Sequence, residues 1–174
     1  GLVGSEMCIR DRSYYLLNRW ENLNFKNFLD LGCGLGRHTV LFAENGFNVS
    51  GFDISKEGIR KTKEWLKNLD LKADLKVGDM LELPYENECF DCILCRNVIS
   101  HQDTEGVKQI IKELYRVLKN NGECYLTLGS KSTWGFKQDS WPLVDENTRL
   151  RMEEGPEYKI PHFYADYDLI KDCL

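Results

Sequence analysis

Short apolar runs alternate along the chain with stretches whose apolar residues recur every three or four positions. Five runs have the length and composition of buried strands, at residues 27–31, 48–53, 75–77, 89–96 and 123–128. Three stretches between them carry one apolar face and predict helices, at residues 37–45, 55–69 and 107–118. Strands that alternate with helices are typical of a parallel sheet covered on both faces. The pattern therefore predicts an α/β, doubly wound fold with a mainly parallel sheet and helices on both faces.

Local signals mark where several elements begin and end. Ser55 precedes the second helix and has the side chain of an N-cap, while Gly46 follows the first helix and suits a C-cap. The Asn121-Gly122 pair indicates a turn before the fifth strand. A short amphipathic helix from Ser13 is expected to lead into the first strand.

Residues 131–165 break the alternation. Prolines interrupt this segment, and its aromatic residues are Trp134, Phe136, Trp141, Tyr158, Phe163 and Tyr164. Long ordered connections of this kind often act as lids or binding loops. We therefore predict a lid or substrate-binding connection, with Trp134 and Tyr164 as candidate substrate contacts. The alternative, that the aromatic residues form the connection's own small core, stays open. A final helix is expected to begin at Asp166 or Asp168.

Composition and charge narrow the class of protein. The 174 residues suit one domain, and 42% hydrophobic with 29% charged residues is ordinary for a globular protein. The 23 basic and 28 acidic residues give a net charge of −5, which disfavours nucleic acid as a partner. No apolar stretch approaches the roughly 18 residues that span a bilayer, and no secretory signal is visible. We therefore expect a cytoplasmic protein that binds neither nucleic acid nor membrane.

The two ends of the chain need separate treatment. The opening GLVGSEMCIRDR is similar to the translation of a transposon-end sequencing adapter, which is often seen at the edges of metagenomic open reading frames. We therefore treat residues 1–12 as a non-native, adapter-derived segment and residues 13–174 as the domain. The chain stops at Leu174 inside a predicted helix, so native sequence is expected to be missing there too.

The first strand leads into the glycine loop FLDLGCGLGRH, residues 28–38. In open parallel sheets ligands bind beyond the carboxyl ends of the strands, and a following helix adds free N–H groups. The dinucleotide fingerprint G-x-G-x-x-G fails here, because its third glycine would fall at Arg37. Asp30, two residues before the first glycine, would repel a pyrophosphate but suits a ligand with an ammonium and a sulfonium. The loop therefore favours S-adenosylmethionine over NAD.

Together with acidic residues at the ends of the next two strands, the loop resembles the motifs of class I S-adenosylmethionine-dependent methyltransferases. Asp53 closes the second strand, and Asp79 and Met80 follow the third. The resemblance runs over about residues 28–129. It implies a Rossmann-like fold with S-adenosylmethionine as cofactor. It also implies that the family's C-terminal antiparallel hairpin is lacking, since no sequence for it remains after the last predicted helix.

The resemblance further implies which residues bind the cofactor. Asp53 would accept hydrogen bonds from both ribose hydroxyls, Ile54 would pack on adenine, and the Asp79 turn would meet the adenine amino group. The candidate set is Asp30, Gly32, Cys33, Gly34, Gly36, Asp53, Ile54, Asp79, Met80, Asn97 and Val98. His101 falls where many relatives carry a histidine near the methyl group. It is the candidate general base, with a structural or substrate-orienting role as the alternative.

Seven cysteines include a C-x-x-C-x-x-C array at Cys89, Cys92 and Cys95. Side chains alternate along a strand, so the middle cysteine faces away from the other two and the three cannot converge on one metal ion. We therefore expect reduced core cysteines and no metal site.

The resemblance implies an enzyme that transfers a methyl group from S-adenosylmethionine to a small-molecule acceptor by direct displacement. A non-catalytic S-adenosylmethionine-binding module is the first alternative, since binding and catalytic motifs overlap. An NAD-dependent oxidoreductase is the second, and Arg37 in place of a glycine disfavours it. Neither the identity of the acceptor nor the oligomeric state follows from the residues.

Overall fold

Five parallel strands form the central sheet in the described part of the chain. The computed structural model describes the backbone of residues 3–173 and the side chains of residues 12–171. The strands are β1 (Asn27–Leu31), β2 (Asn48–Asp53), β3 (Asp74–Val77), β4 (Phe90–Cys95) and β5 (Leu118–Leu126). Their order is β3-β2-β1-β4-β5, so the direction of winding reverses between β1 and β4. A ligand crevice is expected beyond the ends of these two strands. The predicted parallel sheet is confirmed.

The helices that flank the sheet are α1 (Val3–Asn22), α2 (Arg37–Glu44), α3 (Lys56–Asn68), α4 (Thr104–Val117) and α5 (Tyr167–Cys173). The start of α3 is confirmed, because the Ser55 hydroxyl accepts a hydrogen bond from the Gly58 N–H at 3.0 Å. The Asp103 carboxylate caps α4 in the same way through the Gly106 N–H, at 2.8 Å. Gly46 follows the end of α2 with a φ of 78°, a left-handed conformation that favours glycine.

Different helices cover the two faces of the sheet. The core under α4 contains Leu29, Leu31, Ile93, Cys95, Val107, Ile110 and Leu114. The core on the other face joins α1 and α2 around Trp20, Phe28 and Phe42. The rings of Phe28 and Phe42 stack with centroids 3.9 Å apart, and Trp20 is fully buried. Each large apolar side chain that is buried contributes about 1.5–3 kcal/mol, so the two cores hold the strand ends firmly.

The cysteines of β4 alternate between these cores. Cys92 lies in the core of α1 and α2, whereas Cys95 lies under α4 with Cys89 packed against the same core. Burial raises the pKa of the Cys33 thiol to about 12, and it also raises the pKa of the Cys92 and Cys95 thiols. These thiols are free and protonated. Cys92 lies on the opposite face of the sheet from Cys89 and Cys95, so the three do not converge on one point.

The start of β5 differs from the prediction. The sequence indicates a turn at Asn121-Gly122 and a strand over residues 123–128, whereas β5 spans Leu118–Leu126. The register with β4 shifts after Phe90, so the expected turn is a bulge inside the strand, with Asn121 at a φ of 63°. Among the described residues β5 is an edge of the sheet.

Residues 129–165 form a second, smaller sheet. Its strands are β6 (Gly129–Ser130), β7 (Leu143–Asp145), β8 (Thr148–Leu150) and β9 (Pro161–Ala165), in the order β6-β9-β8-β7. The Phe163 N–H donates to the Ser100 carbonyl at 2.8 Å, and the Thr104 N–H donates to the Asp145 carboxylate at 2.9 Å. The segment therefore has structure of its own and is tied to the loop between β4 and α4.

The first helix, α1, begins at Val3 and so starts before Ser13, where the lead-in helix was predicted to begin. It buries Leu16 and Leu17, while Tyr15 within the helix and Leu23 just after its end are exposed. The prediction that residues 1–12 are adapter-derived falls on a segment whose side chains before residue 12 lie outside the described residues, and it stays a prediction. No helix within residues 3–173 is long and apolar enough to cross a membrane.

Candidate functional site

The glycine loop between β1 and α2 lies where the strand order reverses. The N–H groups of Gly32 and Cys33 donate to the Phe52 carbonyl at 2.8 and 3.2 Å, which ties the loop to the end of β2. Gly32 has a φ of 75°, and a Cβ there would lie 2.5 Å from Val98 Cγ1. Gly36, directly before α2, has a φ of 84°. Glycine at position 32 therefore serves both the backbone turn and the close approach of the loop after β4.

The Asp53 carboxylate at the end of β2 is buried and hydrogen-bonded to the glycine loop. Its Oδ2 accepts from the Gly34 N–H at 2.8 Å, and its Oδ1 accepts from the Ser55 N–H at 2.7 Å. A carboxylate offers about four lone-pair positions, so each oxygen keeps one for a ligand. Ile54 is 70% exposed and presents an apolar surface next to this carboxylate. The end of β2 can therefore bind hydroxyl groups beside a flat apolar group.

Asp30 is a buried carboxylate that forms no salt bridge with any residue in the described part of the chain. It is 2% exposed, and its Oδ2 accepts a hydrogen bond from the Thr39 hydroxyl at 2.7 Å. Burial raises the pKa of Asp30 to about 6, and the nearby Asp53 charge adds to the rise against the opposing Thr39 hydrogen bond. A cationic ligand would favour the ionised carboxylate. Asp30 is thus suited to a positively charged group.

A cavity of about 250 Å³ opens beside the glycine loop. Its lining consists of Asp30, Gly32, Cys33, Leu35, Arg37, His38, Arg96 and Asn97. Burial, together with the charges of Arg96 and Arg37, lowers the pKa of His38 to about 4, so this imidazole is neutral. His38 Nε2 is buried and has no hydrogen-bond partner among the described residues. The cavity thus combines one acidic and two basic side chains, which is complementary to a ligand with both an ammonium and a carboxylate.

The turns after β3 and β4 complete the rim of the crevice. Asp79 is exposed and its Oδ1 accepts from the Leu81 N–H at 3.0 Å, while Met80 packs against the core under α4. Asn97 has a φ of 56°, and its backbone N–H donates to Thr127 Oγ1 at 2.8 Å. The Thr127 hydroxyl in turn donates to the Asn97 side-chain oxygen at 3.0 Å. Thr127, which no sequence motif marks, therefore fixes the turn after β4.

His101 lies in the loop between β4 and α4, and its backbone N–H donates to the Val98 carbonyl at 3.1 Å. Its Nε2 is 3.5 Å from Oε1 of Glu157, and its ring centroid is 4.9 Å from that of His162. The second sheet segment supplies both of these partners. No sequence signal pointed to them, because the contact joins parts of the chain more than fifty residues apart.

The two candidate substrate aromatics occupy different surroundings. Trp134 is 62% exposed and contacts the Trp141 ring edge-on at 5.4 Å. Tyr164 is 8% exposed, with its ring 5.4 Å from that of Phe136. Neither residue lines the cavity beside the glycine loop. Trp141 and Tyr164 are buried within the second sheet segment, whereas Phe163 is buried in the core under α4, so the aromatic residues form only in part a core of the segment's own.

Comparison with known proteins assigns this geometry to a family. Residues 28–122, which are more than half of the chain, match a protein family described as a methyltransferase domain. The chain belongs to the S-adenosylmethionine-dependent methyltransferases.

Similar methyltransferases are known from distant organisms. A demethylmenaquinone methyltransferase from Lactobacillus johnsonii is 30% identical over 129 residues, which cover 67% of this chain and 52% of the relative. A norajmaline N-methyltransferase from Rauvolfia serpentina is 38% identical over 96 residues, which cover 53% of this chain and 32% of the relative. The chain spans about half the length, or less, of the curated relatives it matches.

The fold is also similar to solved structures. The PH0226 protein from Pyrococcus horikoshii superposes with a TM-score of 0.75 at 25% identity, over 97% of this chain and 80% of that protein. The α/β fold that the strand and helix pattern predicts, and the Rossmann-like fold that the resemblance implies, are thereby confirmed.

S-adenosylmethionine is the cofactor of this methyltransferase family, and the residues at the strand ends fit it. The cofactor carries an ammonium, a sulfonium, a carboxylate, a ribose and an adenine. Asp30 is an uncompensated buried carboxylate, Asp53 has free lone pairs, and Ile54 is an exposed apolar side chain. A dinucleotide would instead bring a pyrophosphate towards Asp30, where like charges repel.

Proposed function

We propose that the chain binds S-adenosylmethionine across the ends of β1, β2 and β4 and transfers its methyl group to a small-molecule acceptor. The observation that best supports this is the buried Asp30 carboxylate, which lines the same cavity as Arg37 and Arg96. Within this cavity the Asp30 carboxylate would face the ammonium and the sulfonium of the ligand. The two arginine side chains would face the ligand's carboxylate. A pyrophosphate has no cationic group for Asp30 to bind.

The nucleoside end of the cofactor is assigned to the ends of β2 and β3. Asp53 would accept hydrogen bonds from the two ribose hydroxyls with the lone pairs that its backbone donors leave free. Ile54 would pack on one face of adenine, since it is an exposed apolar residue in a crevice. Asp79 would accept from the adenine amino group, and the backbone at Met80 would donate to a ring nitrogen.

The methionine end is assigned to the glycine loop and the turn after β4. Backbone of Gly32, Cys33, Gly34 and Gly36 would approach the ligand closely, since three of these residues have no side chain. Asp30 would bind the ammonium side, with the carboxylate near Arg37 at the start of α2. Backbone at Asn97 and Val98 would hold the same moiety from the turn that Thr127 fixes.

When bound, S-adenosylmethionine supplies an electrophilic methyl group that an acceptor nucleophile takes by direct displacement of a neutral thioether. The residues of the chain then have two tasks, alignment of the acceptor and exclusion of water. His101 would accept the proton of an acceptor whose nucleophile starts protonated. Glu157, 3.5 Å from His101 Nε2, would stabilise the imidazolium that results.

A small molecule is the acceptor that we propose. The net charge of −5 disfavours nucleic acid, and the two named relatives take their names from small-molecule acceptors. The second sheet would cover the acceptor. Trp134 is exposed and can contact the acceptor directly. Tyr164 is buried and would support the backbone next to Trp134, because its hydroxyl lies 2.4 Å from the position that a Cβ on Gly135 would take.

Titration calorimetry with S-adenosylhomocysteine, with NADH in parallel, tests the cofactor assignment. Micromolar binding of the first ligand and none of the second is expected. A labelled-methyl assay over a pool of small metabolites then tests transfer. Binding of NADH alone would overturn the cofactor assignment. Tight binding of S-adenosylhomocysteine without transfer to any acceptor would favour a non-catalytic binding module.

A further inference from the structure

Two histidines and one glutamate cluster outside the proposed cofactor site. His101 from the loop after β4, and Glu157 and His162 from the second sheet segment, each offer one ligand atom, and these atoms lie within 4.8 Å of one another. Nε2 of His101 is 3.5 Å from Oε1 of Glu157, and Nε2 of His162 is 3.6 Å from Oε2. The two imidazoles therefore meet the two oxygens of a single carboxylate.

The backbone holds the two histidines next to each other. The Phe163 N–H donates to the Ser100 carbonyl at 2.8 Å, and these residues directly neighbour His162 and His101 in the chain. Phe163 is 3% exposed, so this hydrogen bond forms at the edge of the core rather than in solvent. The Ile160 N–H donates to the Glu157 carbonyl at 3.1 Å, so each of the three residues lies in or next to hydrogen-bonded backbone, as a specific ligand site requires.

We propose that His101, Glu157 and His162 bind a divalent transition-metal ion. Nitrogen and oxygen ligands lie about 2.0–2.2 Å from Zn²⁺, so neighbours in a tetrahedral shell are roughly 3.4 Å apart. Each histidine lies close to this distance from one oxygen of Glu157, His101 at 3.5 Å from Oε1 and His162 at 3.6 Å from Oε2. One ligand atom from each residue lies within 4.8 Å of the other two, so any pair needs at most roughly 1.4 Å of movement to form the shell.

The ligand types and their exposure suit such an ion. Two histidines with one carboxylate form catalytic zinc sites and non-haem ferrous sites, both of which keep a position open. Nε2 of His162 is buried without a hydrogen-bond partner among the described residues, as a nitrogen reserved for a ligand would be. The side chains of His101 and Glu157 are 35% and 36% exposed, so a small molecule can reach the cluster.

Arg151 competes with a metal ion for the carboxylate. Its guanidinium forms salt bridges with Glu157 and with Glu153, the latter at 2.5 Å. Because Arg151 has this second carboxylate, an ion can replace it on Glu157 without leaving the guanidinium unpaired. Removal of the Arg151 charge should therefore strengthen metal binding. A cluster that serves only as a structural ion pair would be weakened by the same change.

This inference goes beyond the proposed function and does not depend on it, since metal binding needs neither cofactor nor acceptor. In the metal-loaded protein His101 would be a ligand and could not act as the base. A bound ion would lower the pKa of a hydroxyl or thiol at the open position, which would then lose its proton to solvent. The site would thereby favour acceptors that can ligate a metal.

Metal binding by the purified chain, dialysed against Zn²⁺ or Co²⁺, tests the proposal. About one Zn²⁺ per chain is expected, with Co²⁺ d–d absorption and no thiolate charge-transfer band, because the cluster contains no sulfur. Glu157→Gln and His162→Gln should each weaken Zn²⁺ binding by at least roughly 10- to 100-fold. Arg151→Gln should tighten it. His38→Gln is the matched control, since it removes a histidine from the other site and should leave Zn²⁺ binding unchanged.

Circular dichroism and thermal unfolding show whether each variant is folded, and His101→Gln replaces any variant that is not. Three results would overturn the proposal. These are no Zn²⁺ binding by the folded chain, binding that survives loss of two of the three ligands, and a cobalt spectrum with thiolate bands. None of these measurements uses the cofactor, so a failed S-adenosylhomocysteine titration would count against the proposed function alone.

Discussion

The backbone N–H of Gly34 donates a hydrogen bond to Oδ2 of Asp53 across 2.8 Å. The donor lies in the loop after β1 and the acceptor at the end of β2, so one carboxylate links the two parts of the crevice proposed for the methionine and ribose ends of the cofactor. Asp53 therefore stabilises the loop in the free protein as well, so its loss should lower both the stability of the protein and its affinity for the ligand.

Asp53→Ala should weaken S-adenosylhomocysteine binding by roughly 10- to 100-fold, because hydrogen bonds to a charged group are worth about 1.5–3 kcal/mol. The melting temperature should also fall, since the Gly34 and Ser55 N–H groups lose their acceptor. Calorimetric titration and thermal unfolding measure the two effects. Asp74→Ala is the control, because Asp74 is an exposed carboxylate at the other end of the sheet, and an equal loss of affinity there would contradict the ribose assignment.

The affinity for S-adenosylmethionine should rise with pH through the titration of Asp30. Its pKa of about 6 in the folded protein lies above the ordinary value because the carboxyl is buried. The protonated form therefore predominates below this pH, and ionisation above it costs stability until a cation binds. Binding measured from about pH 5 to about pH 8 should show the rise, and Asp30→Asn should abolish it.

The same raised pKa predicts a change in stability without ligand. The stabilising effect of protonated Asp30 is complete below its ordinary pKa and is lost as the pH rises through about 6. Asp30→Asn should therefore raise the melting temperature of the free protein more at about pH 8 than at about pH 5. A constant difference across this range would show that Asp30 does not titrate there.

Gly32→Ala should lower cofactor affinity more than Gly46→Ala does. Both residues have positive φ, 75° and 78°, so both substitutions cost about 1–2 kcal/mol of backbone strain. At Gly32 the added Cβ also meets Val98 at 2.5 Å, whereas at Gly46 it meets nothing within 4 Å. Titration with S-adenosylhomocysteine isolates the effect of displacing Val98. Equal affinities in the two variants would mean that Val98 does not contact the cofactor.

His101→Gln should reduce turnover by about 10²- to 10⁴-fold and leave S-adenosylhomocysteine affinity unchanged. The affinity should not change because His101 faces Glu157 and His162 and does not line the cavity that contains Asp30. Turnover with an identified acceptor and calorimetric titration give the two quantities. Unchanged turnover would remove His101 from the chemistry. Turnover of the unmodified chain that is lost with a chelator and restored by Zn²⁺ would assign His101 to the metal rather than to proton transfer.

Asp145→Asn should loosen the second sheet. The Asp145 carboxylate accepts from both the backbone N–H and the hydroxyl of Thr104, at 2.9 and 2.8 Å. Loss of its charge should cost about 1–3 kcal/mol and speed amide hydrogen exchange in β7 and β8 more than in β1. Uniform exchange rates across both sheets would show that the segment unfolds only with the whole domain. Glu146→Gln, at an exposed neighbouring position, is the control.

Local patterns predicted the ends of the elements well where neighbouring residues determine them. The bounds of β1 and β2 agree with the apolar runs, and Ser55 caps α3 as its side chain suggests. The bulge at Asn121 was not predicted, because its dipeptide is equally suited to a turn and only pairing with β4 distinguishes the two.

Long-range contacts account for what the sequence could not predict at the candidate site. The Thr39 and Thr127 hydroxyls each support one candidate residue, but a threonine carries no distinguishing pattern. Glu157 and His162 meet His101 only because the second sheet folds back onto the loop after β4. The acidic and glycine residues were recognisable because they lie at the carboxyl ends of strands or in the loops just beyond them.

The segment between residues 129 and 165 leaves the domain and rejoins it at adjacent points, since Gly129 pairs with Tyr164 and Ser130 with Ala165. Between these pairs the segment can change in length and sequence without displacing the central sheet, provided that Phe163 and Asp145 keep their contacts with Ser100 and Thr104. Residues proposed for the cofactor all precede it, whereas Glu157 and His162 lie within it. Related proteins could therefore keep the same methyl donor and differ in their acceptors through changes in this segment.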